Sequence, residues 1–324
     1  MKKWFQQFFA LARNSFVVLM SDPIMLIMHI FLICITLLIA SLPGFTLGGQ
    51  LKLVRDQAMA LTFMSGSLVA AVGASKIISE DIRQGMLPTI MSRPVSYSAL
   101  LAGKWFGLLA SLLLIFLSAT IACLWSSRII YTEHMIETLG FVVYLSVVLG
   151  TLALVAARHY AKGGNYMWQA NIALVIIFTL SFFILNFWGY NGEHQPYGAA
   201  VDWHSAFAYL YIFMALIIFS AIATLMAVMM DVSLLMACSV VIFFLGLFSA
   251  YFINLIIPDG FLNALFNTII PNWQSYWISE IIYSPKISQL SFFLPRFFNT
   301  ILQSIIFLVL ATIIFERKEI AGSV

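Results

Sequence analysis

Apolar, almost uncharged stretches of 18 or more residues recur from one end of the chain to the other. Each is long enough to cross a hydrocarbon core of about 30 Å as a helix. Backbone N–H and C=O groups inside that core must find partners within the protein, which leaves helices and closed barrels as the only spanning structures. Barrel strands would alternate apolar and polar residues over ~10 positions, and these runs do not alternate. Composition points the same way, since 62% of the 324 residues are hydrophobic and 9% are charged. Soluble domains carry about 25% charged residues, and so few charges cannot cover a water-facing surface. The expected fold is an all-α integral membrane protein, a polytopic helical bundle.

Hydropathy predicts spans at about 23–42, 57–76, 98–123, 139–157, 167–187, 206–229, 232–257 and 298–315. That makes eight, or six if the fourth and fifth form a re-entrant or surface hairpin. Ahead of the first, Trp4, Phe5, Phe8, Phe9, Ala12 and Phe16 recur at helical spacing among Lys2, Lys3 and Arg13. A basic, aromatic-faced helix of this kind is expected to lie in the membrane surface. Asp22-Pro23 then reads as an N-cap followed by proline at the first helical position. No cleavable signal peptide is expected, because the first apolar run is too long for one. With the N-terminus inside, the outer segments carry Lys52, Arg55, Arg128, Lys286 and Arg296, and the inner ones carry the other 11 of the 16 basic residues. The positive-inside rule therefore places both termini in the cytoplasm. The outer segment 258–297, divided by Pro258, Pro271, Pro285 and Pro295, is expected to form one or two half-helices in the outer leaflet, or else an ordinary outer loop.

Most site chemistries are excluded. The net charge of +3 and the lack of a basic run with interleaved aromatics exclude a nucleic-acid partner. No nucleotide-cradling loop exists: Gly103-Lys104 is followed by Trp105, and Ser98 stands where the first glycine would be needed. Cys34, Cys123 and Cys238 lie far apart and form no C-x-x-C pair, so they read as small buried hydrophobes. His194 and His204 share an outer loop with Glu193 and Asp202, a metal site on paper but more simply four solvated loop residues. Of the histidines only His29 sits well inside a span, and Asp231 at a tight inner turn is better explained as a helix cap than as a proton relay. Stripes of small residues, Gly66, Ala70 and Ala74 and again Gly103, Gly107 and Ser111, mark closely packed helix pairs. No acid–base pair, metal cluster or cofactor site is expected.

The inner loop 77–97 is the most informative stretch. Glu80, Asp81, Arg83 and Gly85 precede a short apolar piece, Met86 to Met91, which Ser92-Arg93-Pro94 ends; Ser96 or Ser98 could cap the span that follows. The pattern E-D-x-x-x-G-x-L…R-P-V-S-x-x-x-L-L-x-G-K, carried by Glu80, Asp81, Gly85, Leu87, Arg93, Pro94, Val95, Ser96, Leu100, Leu101, Gly103 and Lys104, resembles the cytoplasmic loop of ABC-2-type transporter permeases. The helix before the first span, the ending Phe315-Glu316-Arg317-Lys318-Glu319-Ile320 and the segment 207–280 are similar to the same family. Met86 departs from the usual Thr, and Pro88 falls within the presumed coupling helix.

The resemblance implies a single permease domain over 1–324, with an elbow helix at 1–22, a coupling loop at 77–97 and an outer re-entrant segment at 258–297. It implies an exporter subunit in the inner membrane, paired with a second permease subunit, identical or different. A cytosolic ABC ATPase would hold the ATP and Mg, so this chain would bind no cofactor and would not be an enzyme. Glu80, Asp81, Arg83, Gly85, Leu87, Arg93, Pro94 and Lys104 would form the coupling interface. The family's common count is six spans, so eight would mean an inserted pair near 139–187. Two other classes remain open: a non-transporting membrane scaffold or anchor for a cytosolic partner, and an ion-coupled carrier.

Overall fold

The computed structural model describes residues 2–42, 49–83, 96–132, 135–189, 193–258, 260–285 and 290–322. Its helices are α1 (Lys2–Met20), α2 (Pro23–Ser41), α3 (Gln50–Ala74), α4 (Glu80–Arg83), α5 (Tyr97–Ile129), α6 (Thr138–Lys162), α7 (Tyr166–Leu185), α8 (His204–Met229), α9 (Val232–Ile256), α10 (Phe261–Ile269) and α11 (Leu290–Gly322). A π-helical turn, Ser75–Ser79, joins α3 to α4, and a 3-10 turn, Trp273–Tyr276, follows α10. A small antiparallel ribbon, β1 (Ile130–Thr132) and β2 (Met135–Ile136), links α5 to α6. Among the described residues, eight helices are long and apolar enough to cross a membrane. They include α6 and α7, so the fourth and fifth runs are long helices of the bundle rather than a surface hairpin.

Local chemistry starts and stops these helices. The Asp22 carboxylate accepts the Ile24 N–H at 2.7 Å with Pro23 at the first helical position, and the Ser96 hydroxyl accepts the Ala99 N–H at 3.3 Å ahead of α5. Gly163, at φ 69°, ends α6 in a left-handed conformation that only glycine adopts without strain. Asn165 then accepts the Trp168 N–H at 3.1 Å and starts α7. Asp231 occupies the N-cap position of α9, but its side chain accepts no capping hydrogen bond. Only its backbone carbonyl serves the helix, bonding the Leu235 N–H at 2.9 Å, so the expected side-chain cap is absent.

Helices α3, α5 and α8 form the centre, with 72%, 67% and 78% of their spanning windows buried, against 28% for α6 and 22% each for α9 and α11. The small-residue stripes make the centre tight. A Cβ at Gly66 would lie 2.7 Å from the Leu216 side chain on α8, and one at Gly107 would lie 2.5 Å from the Ala12 carbonyl oxygen on α1. The stripe on α5 is thus the seat of α1. A second cluster joins α6 and α7 to α2 and α5: the Trp125 ring meets Tyr144 and Phe178, each at 5.0 Å, and the Tyr144 hydroxyl donates to the Ile33 carbonyl at 2.7 Å.

The segment after α9 differs from its expected course at one end. Helix α10 and the 3-10 turn are short pieces between prolines, whereas the final helix begins at Leu290 and runs through Pro295. Proline there removes one backbone hydrogen bond. Just beside that break, the Arg296 guanidinium donates to the Phe292 carbonyl at 3.1 Å. Arg296 and Phe297 therefore belong to the last helix, not to a preceding loop.

Candidate functional site

The charged corner where α3 gives way to α4 is the best-built polar feature at the end of the bundle that carries both termini. That the termini share an end follows from contacts: the Trp4 indole donates to Ser98 at 3.3 Å, and Tyr97 meets Phe315 on α11 with ring centres 5.6 Å apart. At the corner the helix widens into the π turn, in which the Glu80 N–H reaches back to the Ser75 carbonyl. Such turns insert a residue into the ladder and leave carbonyls short of their normal partners.

Contacts to three neighbouring elements secure this turn. The Lys104 ammonium, on α5, donates to the Ile77 carbonyl and to the Asp81 carboxylate. Lys76 pairs with Asp22, whose other carboxylate oxygen caps α2. The Ser79 hydroxyl donates to the Ala227 carbonyl at 2.8 Å, at the end of α8. One turn of backbone is thereby fastened to α2, α5 and α8 together. Next to it a notch of about 320 Å³ opens between Ser79, Ile82 and Arg83 on one side and Met230, Asp231 and Leu234 on the other.

The predicted coupling residues separate into groups here. Glu80 and Asp81 are half-buried and Arg83 is exposed, at the mouth of the notch. Lys104 is 5% exposed, so it holds the corner from inside instead of meeting solvent. Gly85, Leu87, Arg93 and Pro94 lie outside the described residues, as does the short apolar piece 86–91.

Two buried charge clusters at the opposite end were not anticipated. Charge counting places Arg55 and Arg128 in outer segments, yet they are 2% and 0% exposed. Arg128 makes a two-pronged pair with Glu137, at 3.0 and 2.8 Å, and donates to the Leu185 carbonyl at 2.6 Å. This ties the end of α5 to the start of α6 and the end of α7. Arg55 on α3 lies 3.5 Å from Asp202 and donates to the Ser279 carbonyl at 3.1 Å. Asp202 also accepts the Ser205 hydroxyl at 2.8 Å and the Tyr283 hydroxyl at 3.2 Å. Burial first, and then the Asp202 carboxylate, raise the Tyr283 phenol above its ordinary value, so it stays protonated as a donor. The one sequence signal was the nine-residue separation of Arg128 and Glu137 across a hairpin turn.

His29 is buried between α2 and α7, where its Nδ1 lies 3.1 Å from the Asn171 side-chain oxygen, and the Asn171 amide donates to the Met20 carbonyl at 3.0 Å. His204 packs edge-on against Tyr283 at 5.3 Å, and His194 stacks on Trp188 at 6.1 Å. Among the described residues no group of three or more His, Cys, Asp or Glu side chains could hold a metal ion.

No curated protein sequence matches the chain. Residues 10–159, from the middle of α1 to the last turn of α6, match the family model described as ABC-2 family transporter protein. Eight apolar helices among the described residues make the chain a multi-pass membrane protein, and the match, which covers just under half of it, supports a transport permease of the ABC type.

Proposed function

We propose that this chain is the membrane subunit of an ABC exporter and that a separate cytosolic ATPase drives it by docking on the corner at Glu80–Arg83 and the loop 84–95. In this reading both termini lie in the cytoplasm of a cell whose inner membrane the eight helices cross. Two such subunits, identical or different, flank the path. ATP and Mg belong to the partner, and this chain performs no covalent chemistry.

The observation that carries the reading is the fastening of the π turn to α2, α5 and α8 by Asp22, Lys104 and Ser79. A partner that moves the loop cannot move it alone. Displacement at Asp81 passes to Lys104 and the axis of α5, and through Ser79 to α8, which is the most enclosed of the described spanning helices. Interfaces packed this closely switch between discrete arrangements instead of deforming gradually. A nucleotide that favours one ATPase conformation therefore selects one arrangement of the spans. Glu80 and Arg83 supply charge to the partner's groove, and the resemblance adds Gly85, Leu87, Arg93 and Pro94 to the same surface.

Co-purification tests the proposal. The protein solubilised gently from its native membrane is expected to bring a P-loop ATPase with it. Replacing Glu80 and Arg93 together by Ala is expected to weaken that association while leaving membrane insertion unchanged. Undiminished association of the double variant would remove the docking role from these residues. A partnerless protein would favour a scaffold or a carrier.

A further inference from the structure

Helices α9, α10 and α11 leave between them an open cleft of about 970 Å³. Its walls change character along one direction. Toward the short helix α10 it presents Asn254, Asn267, Arg296 and Asn299, and further along α11 it presents Leu302 and Ile305. Positions 295, 298, 299, 302 and 305 recur at helical spacing, so the polar-to-apolar gradient follows a single face of α11. From Arg296 to Ile305 that face runs about 13 Å at the helical rise. Nothing in the family match reaches these residues, which lie beyond position 159.

The polar end is built, not incidental. The Asn254 side-chain oxygen accepts from Asn263 at 3.1 Å, and the Asn267 amide donates to the Asn263 side-chain oxygen at 2.6 Å. This chain of amides fixes the cleft's polar wall. Arg296 donates through Nε to the Ser275 carbonyl at 2.9 Å and lies 3.8 Å above the Phe292 ring, so its guanidinium is held in place. None of the described carboxylates pairs with it. A positioned guanidinium with no carboxylate partner among the described residues, lining an open cleft of a membrane protein, suits an anion. Guanidinium and phosphate match in geometry as well as charge. The apolar rail beyond it suits an acyl chain and repels a fully hydrated ion. The volume lies within the range of ordinary ligand sites.

We infer that this cleft binds an anionic phospholipid, its phosphate at Arg296 and Asn299 and one chain along Leu302 and Ile305. The inference rests only on the chain being a membrane protein, so loss of ATPase association would leave it untouched.

The test is native mass spectrometry of the full chain in detergent, with phosphatidylglycerol or phosphatidylcholine added. The unaltered protein is expected to retain phosphatidylglycerol about tenfold better, the scale of one charge-assisted contact. Arg296→Gln is expected to abolish the preference. Ile305→Trp fills the rail at an exposed position and should reduce retention of both lipids, whereas Val309→Trp, exposed on the same helix but outside the cleft, should not. Equal retention of the two lipids by the unaltered protein would overturn the inference, as would full retention by both cleft variants. Displacement by inorganic phosphate together with indifference to Ile305→Trp would reduce the site to one for a free anion. An oligomer lost in Ile305→Trp with lipid retention intact would assign the cleft to a second copy of the chain.

Discussion

At the scale of single residues, five charged side chains of this protein, Asp22, Arg55, Lys104, Arg128 and Glu137, work inside it. Lys104 stands in a motif that the family resemblance assigns to partner contact, but it is enclosed beside Asp81 and the Ile77 carbonyl. Its role in coupling, on the reading proposed above, is to position the corner. Lys104→Ala would strip the Asp81 carboxylate of its partner. Breaking a buried pair costs about 3–5 kcal/mol, and the partial exposure of Asp81 moves the expected loss to the lower part of that range. The check is the Tm of the variant in detergent, with an unchanged Tm counting against the role. Arg128 and Glu137 form the more enclosed pair, each with a side chain at most 2% exposed. Glu137→Gln is expected to destabilise by about 3–5 kcal/mol, since it leaves a buried guanidinium uncompensated. Replacing both residues with Met and Leu should recover most of that loss. A double variant no more stable than Glu137→Gln would show that the pair itself supplies the stability.

At the scale of elements, glycine decides which helices meet. The closeness of α1 to α5 depends on Gly103 and Gly107, where an added Cβ would lie 2.9 and 2.5 Å from atoms of α1. Gly107→Val is therefore expected to lift α1 from the bundle. The measurable result is faster tryptic cleavage at Arg13 in the folded, detergent-solubilised protein; unchanged cleavage would mean that α1 is held elsewhere. The π turn is an element-scale feature that local sequence did not announce. Ser75-Lys76-Ile77-Ile78-Ser79 carries no glycine or proline, and the widened turn is held from outside by Lys104, Asp22 and the Ala227 carbonyl. The caps were easier to read, because Asp22, Ser96 and Asn165 act on backbone groups two or three residues away.

At the scale of the whole molecule, eight long apolar helices and their pairing fix which loops share a side. Tyr160, 95% exposed near the end of α6, is at the end of the bundle that carries α1, and Phe261, 81% exposed at the start of α10, is at the other. Tyr160→Cys and Phe261→Cys are expected to react with an impermeant thiol reagent from opposite sides of sealed vesicles. A six-span arrangement, with α6 and α7 dipping in and out on one side, would leave position 160 unlabelled from the terminus-bearing side. The same experiment decides whether that side is cytoplasmic, as the distribution of basic residues predicts.

Membrane residence and most helix starts were legible in the sequence alone, which left the number of spans at eight or six. They depend on the length of apolar runs and on contacts within a few residues, which local pattern encodes directly. The resemblance to ABC-2 permeases was legible too, and the family match over 10–159 spans the loop pattern from Glu80 to Lys104 and the second half of the helix ahead of the first span. What only the tertiary structure decided was which charges are spent inside. Lys104, Arg55 and Arg128 read as ordinary loop or interfacial cations until folding brings Asp81, Asp202 and Glu137 beside them. The same holds for the cleft beside Arg296, assembled from α9, α10 and α11 across some fifty residues of sequence. The reason is physical: a charge is stabilised or left wanting by whatever lies within a few ångströms of it, and at long separation along the chain that neighbourhood is created only by packing.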